Sequence, residues 1–123
     1  MRRIALLVLG AGAMAAAAPA FAHHSYAMFD AQQNKQLDGV VLAFAWTNPH
    51  SFIEVQVNDE KGQPQKWGVE CGSPSHLVRA GWTKSSLKPG DHVVVTIHPL
   101  RSGELGGQFV QVHTADGKDL RPN

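Results

Sequence analysis

The chain has 123 residues, with eleven basic, ten acidic and seven histidine residues. That length supports one domain with a modest core, and the near-balanced charge, with no clustered basic face, excludes a nucleic-acid footprint. Cys71 is the single cysteine, so no internal disulfide forms and stability must come from packing.

Residues 1–22 read as a signal peptide. Met1-Arg2-Arg3 supplies the positive start, Ile4 to Leu9 the apolar run, and an alanine-rich tract leads to Ala20-Phe21-Ala22. The run is too short and too rich in alanine to span a bilayer, which takes about 20 apolar residues. Small residues at Ala20 and Ala22 predict cleavage after Ala22, with a cut after Ala20 as the second choice. The mature chain then begins at His23, has no membrane span, and belongs in the periplasm or outside the cell. Without Arg2 and Arg3, nine basic residues face ten acidic ones.

Residues 23–36 form an irregular N-terminal arm, with Tyr26, Met28 and Phe29 as its apolar points. Residues 37–115 alternate as strands. In the first strand Val40, Leu42, Phe44 and Trp46 share one face, and Gly39, Val41, Ala43 and Ala45 share the other. Thr47-Asn48-Pro49-His50 breaks it. Ile53, Val55 and Val57 alternate with Phe52, Glu54 and Gln56, and Asn58 to Gly62 is turn chemistry, which predicts a hairpin to a third strand with Trp67, Val69 and Cys71 inward. Ser73 caps a short helix with Pro74 in its first position, and Gly81 stops it. Lys88-Pro89-Gly90-Asp91 turns into a fourth strand, where Val93, Val95 and Ile97 oppose His92, Val94, Thr96 and His98. After a loop over Ser102 to Gly107, the fifth strand places Val110 and Val112 inward, and residues 116–123 are a polar tail. This order predicts a mostly β fold: a five-stranded OB-like small barrel with one short helix between strands three and four. A small β-sandwich is the alternative.

Several stretches carry a resemblance: His23-His24-Ser25, Trp46-Thr47-Asn48-Pro49-His50, Gly72-Ser73-Pro74-Ser75, Leu87-Lys88-Pro89-Gly90-Asp91 and His98-Pro99-Leu100-Arg101. Together they resemble a family of small exported bacterial proteins catalogued as a domain of unknown function. That resemblance covers nearly the whole mature chain and implies no established activity or ligand residues. In architecture and compartment alone, the chain is also similar to periplasmic OB-fold copper-binding proteins, and fold does not fix function.

Histidine carries the chemistry on offer, since it is the commonest protein metal ligand. A mature N-terminal His23 chelates through its α-amino group and its imidazole, and a further imidazole would complete the all-nitrogen, roughly square site that Cu(II) prefers. His24 is the alternative N-terminal ligand. His50 and His98 each stand beside a proline at a strand end and are expected to meet on the loop surface of an OB barrel, so the metal candidates are His23, His24, His50 and His98. Trp46, Asn48, Arg101 and Glu104 are assigned to the same ligand surface. His92 and His113 face outward, and Cys71 reads as a buried small hydrophobe. No nucleophile with a base and no paired carboxylates form a catalytic motif. Two readings follow: a non-enzymatic binding protein for copper or another divalent metal, or a metal-independent OB-type module that binds an envelope protein, peptide or glycan.

Overall fold

A computed structural model describes residues 26–122. Strands β1 (Lys35–Ala45), β2 (Phe52–Asn58) and β3 (Pro64–Glu70) form an antiparallel meander, helix α1 (Pro74–Arg79) follows, and β4 (His92–Pro99), β5 (Gly106–Thr114) and the short β6 (Asp119–Leu120) complete the chain. The sheet order is β3-β2-β1-β4-β5-β6, and a parallel pairing of Gly68–Glu70 with Gly106–Gln108 joins β3 to β5. That pairing closes a five-stranded barrel of OB type.

Alternation explains β2, β3 and β4. Ile53, Val55, Trp67, Val69, Val93, Val95 and Ile97 are all buried and belong to one core cluster. The face assignments fail in β1 and β5 because each carries an extra residue. Val41 pairs with Val55 and Ala43 with Glu54, which leaves Leu42 as a bulge. A bulge changes which side chains point inward. Leu37 and Val41 are therefore buried before it and Phe44 packs on the core after it, whereas Val40 and Leu42 are 36% and 38% exposed. In β5, Thr96 pairs with Gln111 and Ile97 with Phe109, so Val110 is the extra residue and Phe109, not Val110, joins Val112 in the core.

Gly39 lies at a close approach of β1 to β2, since a Cβ there would collide with the Gln56 carbonyl. Helix α1 begins as expected: Ser73 accepts a hydrogen bond from the His76 backbone N–H at 3.3 Å, with Pro74 in the first position. The helix buries Leu77 and the turn after it carries Trp82 into the core, where Trp82 packs edge-on against Phe109 with centroids 5.3 Å apart. Residues 116–123 were expected to be a plain polar tail, but Leu120 pairs with Val112 and packs on the core, and the Trp82 Nε1–H donates to the Arg121 carbonyl at 3.0 Å.

Candidate functional site

His50 is set by the way β1 hands over to β2. Phe44 and Trp46 pack edge to face at 5.7 Å, Asn48-Pro49 is a cis peptide, and the Thr47 hydroxyl donates to the His50 carbonyl at 2.9 Å. Beyond it, the Ser51 N–H donates to the Gly72 carbonyl at 3.0 Å and the Cys71 N–H to the Ser51 carbonyl at 2.8 Å. These bonds extend the β2–β3 ladder past the Phe52–Glu70 pair, so His50 arrives beside the last residue of β3. Its Nδ1 lies 2.6 Å from a Glu70 carboxylate oxygen, with the two side chains 28% and 17% exposed. A carboxylate on Nδ1 fixes the tautomer that carries its lone pair on Nε2, the arrangement commonly found behind metal-ligating histidines.

This pair lines a cavity of about 130 Å³ together with Tyr26, His76, Phe109 and Pro122. Both ends of the described chain therefore contribute walls. His76 reaches it from the first turn of α1, and its ring lies so close to Gly72 that a Cβ there would come within 2.9 Å of it. Cys71 also borders the cavity, but burial, reinforced by the Glu70 charge, pushes its thiol well above the usual range. A thiol held protonated in this way is a poor nucleophile and a poor thiolate ligand. Among the described residues, no group of three His, Cys, Asp or Glu stands together to hold a metal ion. His23 and His24 lie outside the described residues.

His98 does not join His50. It pairs across the sheet with Gln108, which in turn pairs with Glu70, so β5 runs between the two histidines. Its Nδ1 lies 2.8 Å from the Gln33 carbonyl. Trp46 is half-buried against Phe44 and Asn48 is exposed, and neither lines the cavity. Arg101 and Glu104 line a separate, wider cleft of about 700 Å³ with Asp30, Lys35 and Trp67. There Glu104 accepts a hydrogen bond from the Ser102 hydroxyl at 3.2 Å. The single ligand surface expected from the sequence is thus two surfaces. His92 and His113 are exposed as expected, paired with Asp38 at 3.1 Å and Asp119 at 2.7 Å.

A family sequence profile matches residues 12–109. The chain belongs to DUF6152, a family of unknown function. No curated protein and no solved structure matches it. The DUF6152 match takes in His50, Glu70 and His76 but ends at Phe109, inside β5 and short of β6 and Pro122. Neither Glu70 nor Pro122 is among the residues assigned to the site from the sequence. For Glu70 a signal existed, because an outward residue ending β3 must face whatever precedes β2.

Proposed function

We propose that this is an exported, non-enzymatic metal-binding protein that holds Cu(II), or a similar nitrogen-preferring divalent ion, between its N-terminal histidines and His50. One observation supports this above others: Tyr26 lines the same cavity as the His50–Glu70 pair. His23 is three residues before Tyr26, and an extended chain covers about 3.3–3.6 Å per residue, so its reach of about 10 Å includes the cavity. The His23 amine and imidazole with the His50 imidazole would give three nitrogens, and Glu70 would hold the His50 ring from behind. His24 offers an alternative nitrogen from the same segment. His98, beyond β5 and bonded to Gln33, has no part in this reading.

Titrating Cu(II) into protein processed to begin at His23, against the same protein with one added N-terminal residue, tests it. The extension and His50→Ala should each weaken binding at least tenfold, His98→Ala should not, and Glu70→Gln should cost about 10–100-fold as loss of the partner behind a ligand does. Affinity should also fall in acid, because the α-amine, with an ordinary pKa of about 7.7–8.0, must lose its proton. Equal affinity of processed and extended protein would refute the proposal. The second reading, a metal-independent partner site, is favoured by the wide cleft, where the Trp67 Nε1–H is buried without a hydrogen-bond partner among the described residues. A buried donor of that kind calls for an explanation.

A further inference from the structure

In the wide cleft the carboxylates are already engaged, whereas two donors are not. The Asp30 carboxylate accepts from the Gln33 amide at 2.8 Å and lies 3.7 Å from the Arg101 Nη2, and Glu104 takes the Ser102 hydroxyl. Arg101 is turned back to the arm, where its Nε–H donates to the Ala27 carbonyl at 3.1 Å. Trp67, by contrast, is 8% exposed, and its Nε1–H, the one polar group of the side chain, is buried without an acceptor among the described residues. Lys35 sets its ammonium over the same indole, 5.4 Å from the ring centroid, and makes no ion pair among the described residues. A buried donor left unpaired is costly. Both donors stand at one ring, so an occupant of the cleft that brings acceptors to that point relieves both.

We propose that the wide cleft is a saccharide site in which Trp67 and Lys35 together capture the carboxylate of a uronic acid. The inference rests on the second reading above, the metal-independent partner site, and owes nothing to the metal reading. A carboxylate has two oxygens, one for the Trp67 Nε1–H and one for the Lys35 ammonium, and hydrogen bonds to a charged acceptor are the stronger kind. A cation holds only weakly to an aromatic face at an exposed site, so Lys35, itself exposed, lifts from the ring to meet that group. The rest of the cleft suits sugar hydroxyls, which both donate and accept: the Asn34 and Gln36 amides and the Glu104 carboxylate line it, and its only apolar side chains are Trp67, Pro99 and Leu100. A peptide would ask for more apolar pockets than these. At about 700 Å³ the cleft is of ordinary size for a small-molecule site, which runs from about 300 to 1,000 Å³. It is also bounded by the β4–β5 loop, the part of an OB barrel that takes oligosaccharides.

The experiment follows the indole N–H signal of Trp67 by NMR, in EDTA so that no metal takes part, during titration with trigalacturonic acid, with its methyl ester and with triglycine. The acid should move the Trp67 signal and saturate, and the ester, whose carboxylates are masked, should bind at least tenfold more weakly. Lys35→Met and Trp67→Phe should each weaken binding of the acid about tenfold, and Lys35→Met should leave the ester where it was. Because Lys35 is exposed, its variant carries the test even if Trp67→Phe fails to fold. An ester that binds as tightly as the acid overturns the carboxylate capture, as does a Trp67 signal that neither saccharide nor peptide moves. If triglycine moves the signal and the saccharide does not, the saccharide assignment falls while the cleft stands as a partner site. If the acid binds but shifts only signals remote from Trp67, the cleft reading falls with it.

Discussion

Trp82→Phe separates two contributions that meet at one side chain. Trp82 is 1% exposed, packs edge-on against Phe109 at 5.3 Å and lies against Phe44 at 5.9 Å, while its Nε1–H holds the Arg121 carbonyl at 3.0 Å. Phenylalanine keeps a ring in the stack but removes two buried carbons, at about 0.8 kcal/mol each. It also removes a hydrogen bond with a net value of about 1 kcal/mol, near the usual figure because the exposed Arg121 can turn its carbonyl to water. The sum, about 2.5 kcal/mol, corresponds to a fall in melting temperature of about 10–20 °C for a domain of this size. Trp82→Ala should cost about 3–5 kcal/mol. Urea denaturation followed by circular dichroism measures both, with unchanged slope as the check that only stability has moved. A Phe variant within about 0.5 kcal/mol of the parent would refute the account of the tail bond, since a surface change is expected to cost no more than that. Amide exchange at Leu120 and Arg121 should rise in the Phe variant, because β6 adds only two paired residues of its own.

Trp67→Ala should destabilise by about 3–5 kcal/mol, whereas Trp67→Phe should cost less than Trp82→Phe in the same denaturation assay, since it deletes a buried donor that has no partner among the described residues. Cys71 should resist iodoacetamide in the folded protein, as a buried thiol with a raised pKa, and Cys71→Ser should lower the denaturation midpoint by burying a hydroxyl. The β5–β6 hairpin should loosen in acid. The Asp116 carboxyl is held below its ordinary range chiefly by a hydrogen bond from the Thr114 hydroxyl, and that of Asp119 chiefly by one from His113. A carboxyl lowered by folding contributes stability above its unfolded pKa and loses it as pH falls through the folded value, so amide protection factors in the tail should fall below about pH 4. Asp119→Asn should remove part of that acid limb.

The barrel could be read from the sequence wherever strict alternation ran unbroken, as in Ile53-Val55, Trp67-Val69 and Val93-Val95-Ile97. It could not be read through Leu42 or Val110, because a bulge adds one residue without any compositional mark and puts the alternation on its two sides out of step. Strand β6 escaped notice for a different reason: Asp119–Leu120 has no periodicity and is held by its pairing with Val112 and His113 and by the Trp82 bond to Arg121. At the site, His50 was visible as a histidine at a strand boundary. Its partner Glu70, twenty residues further on, was passed over, although the β2–β3 hairpin register was enough to bring an outward residue ending β3 beside it. Arg101 looked like a ligand-binding cation, and nothing in its neighbours revealed that the chain's own arm would take up its hydrogen bonds. His98 was placed with His50 by loop position, whereas the cross-strand order puts Gln108 between them.

Tyr26 and Pro122 share a cavity, which has a practical consequence for handling the protein. An affinity tag or fluorophore fused beyond either residue would crowd that cavity, and a histidine tag there would bring foreign imidazoles beside the His50–Glu70 pair. The Asp59–Gln63 turn is the better attachment point. It closes the far end of the β2–β3 hairpin, seven strand residues from Phe52, and is held by its own Asp59 contacts to the Lys61 and Gln63 amides at 2.8 and 2.9 Å. A label inserted after Lys61 would leave both chain ends as the cell makes them.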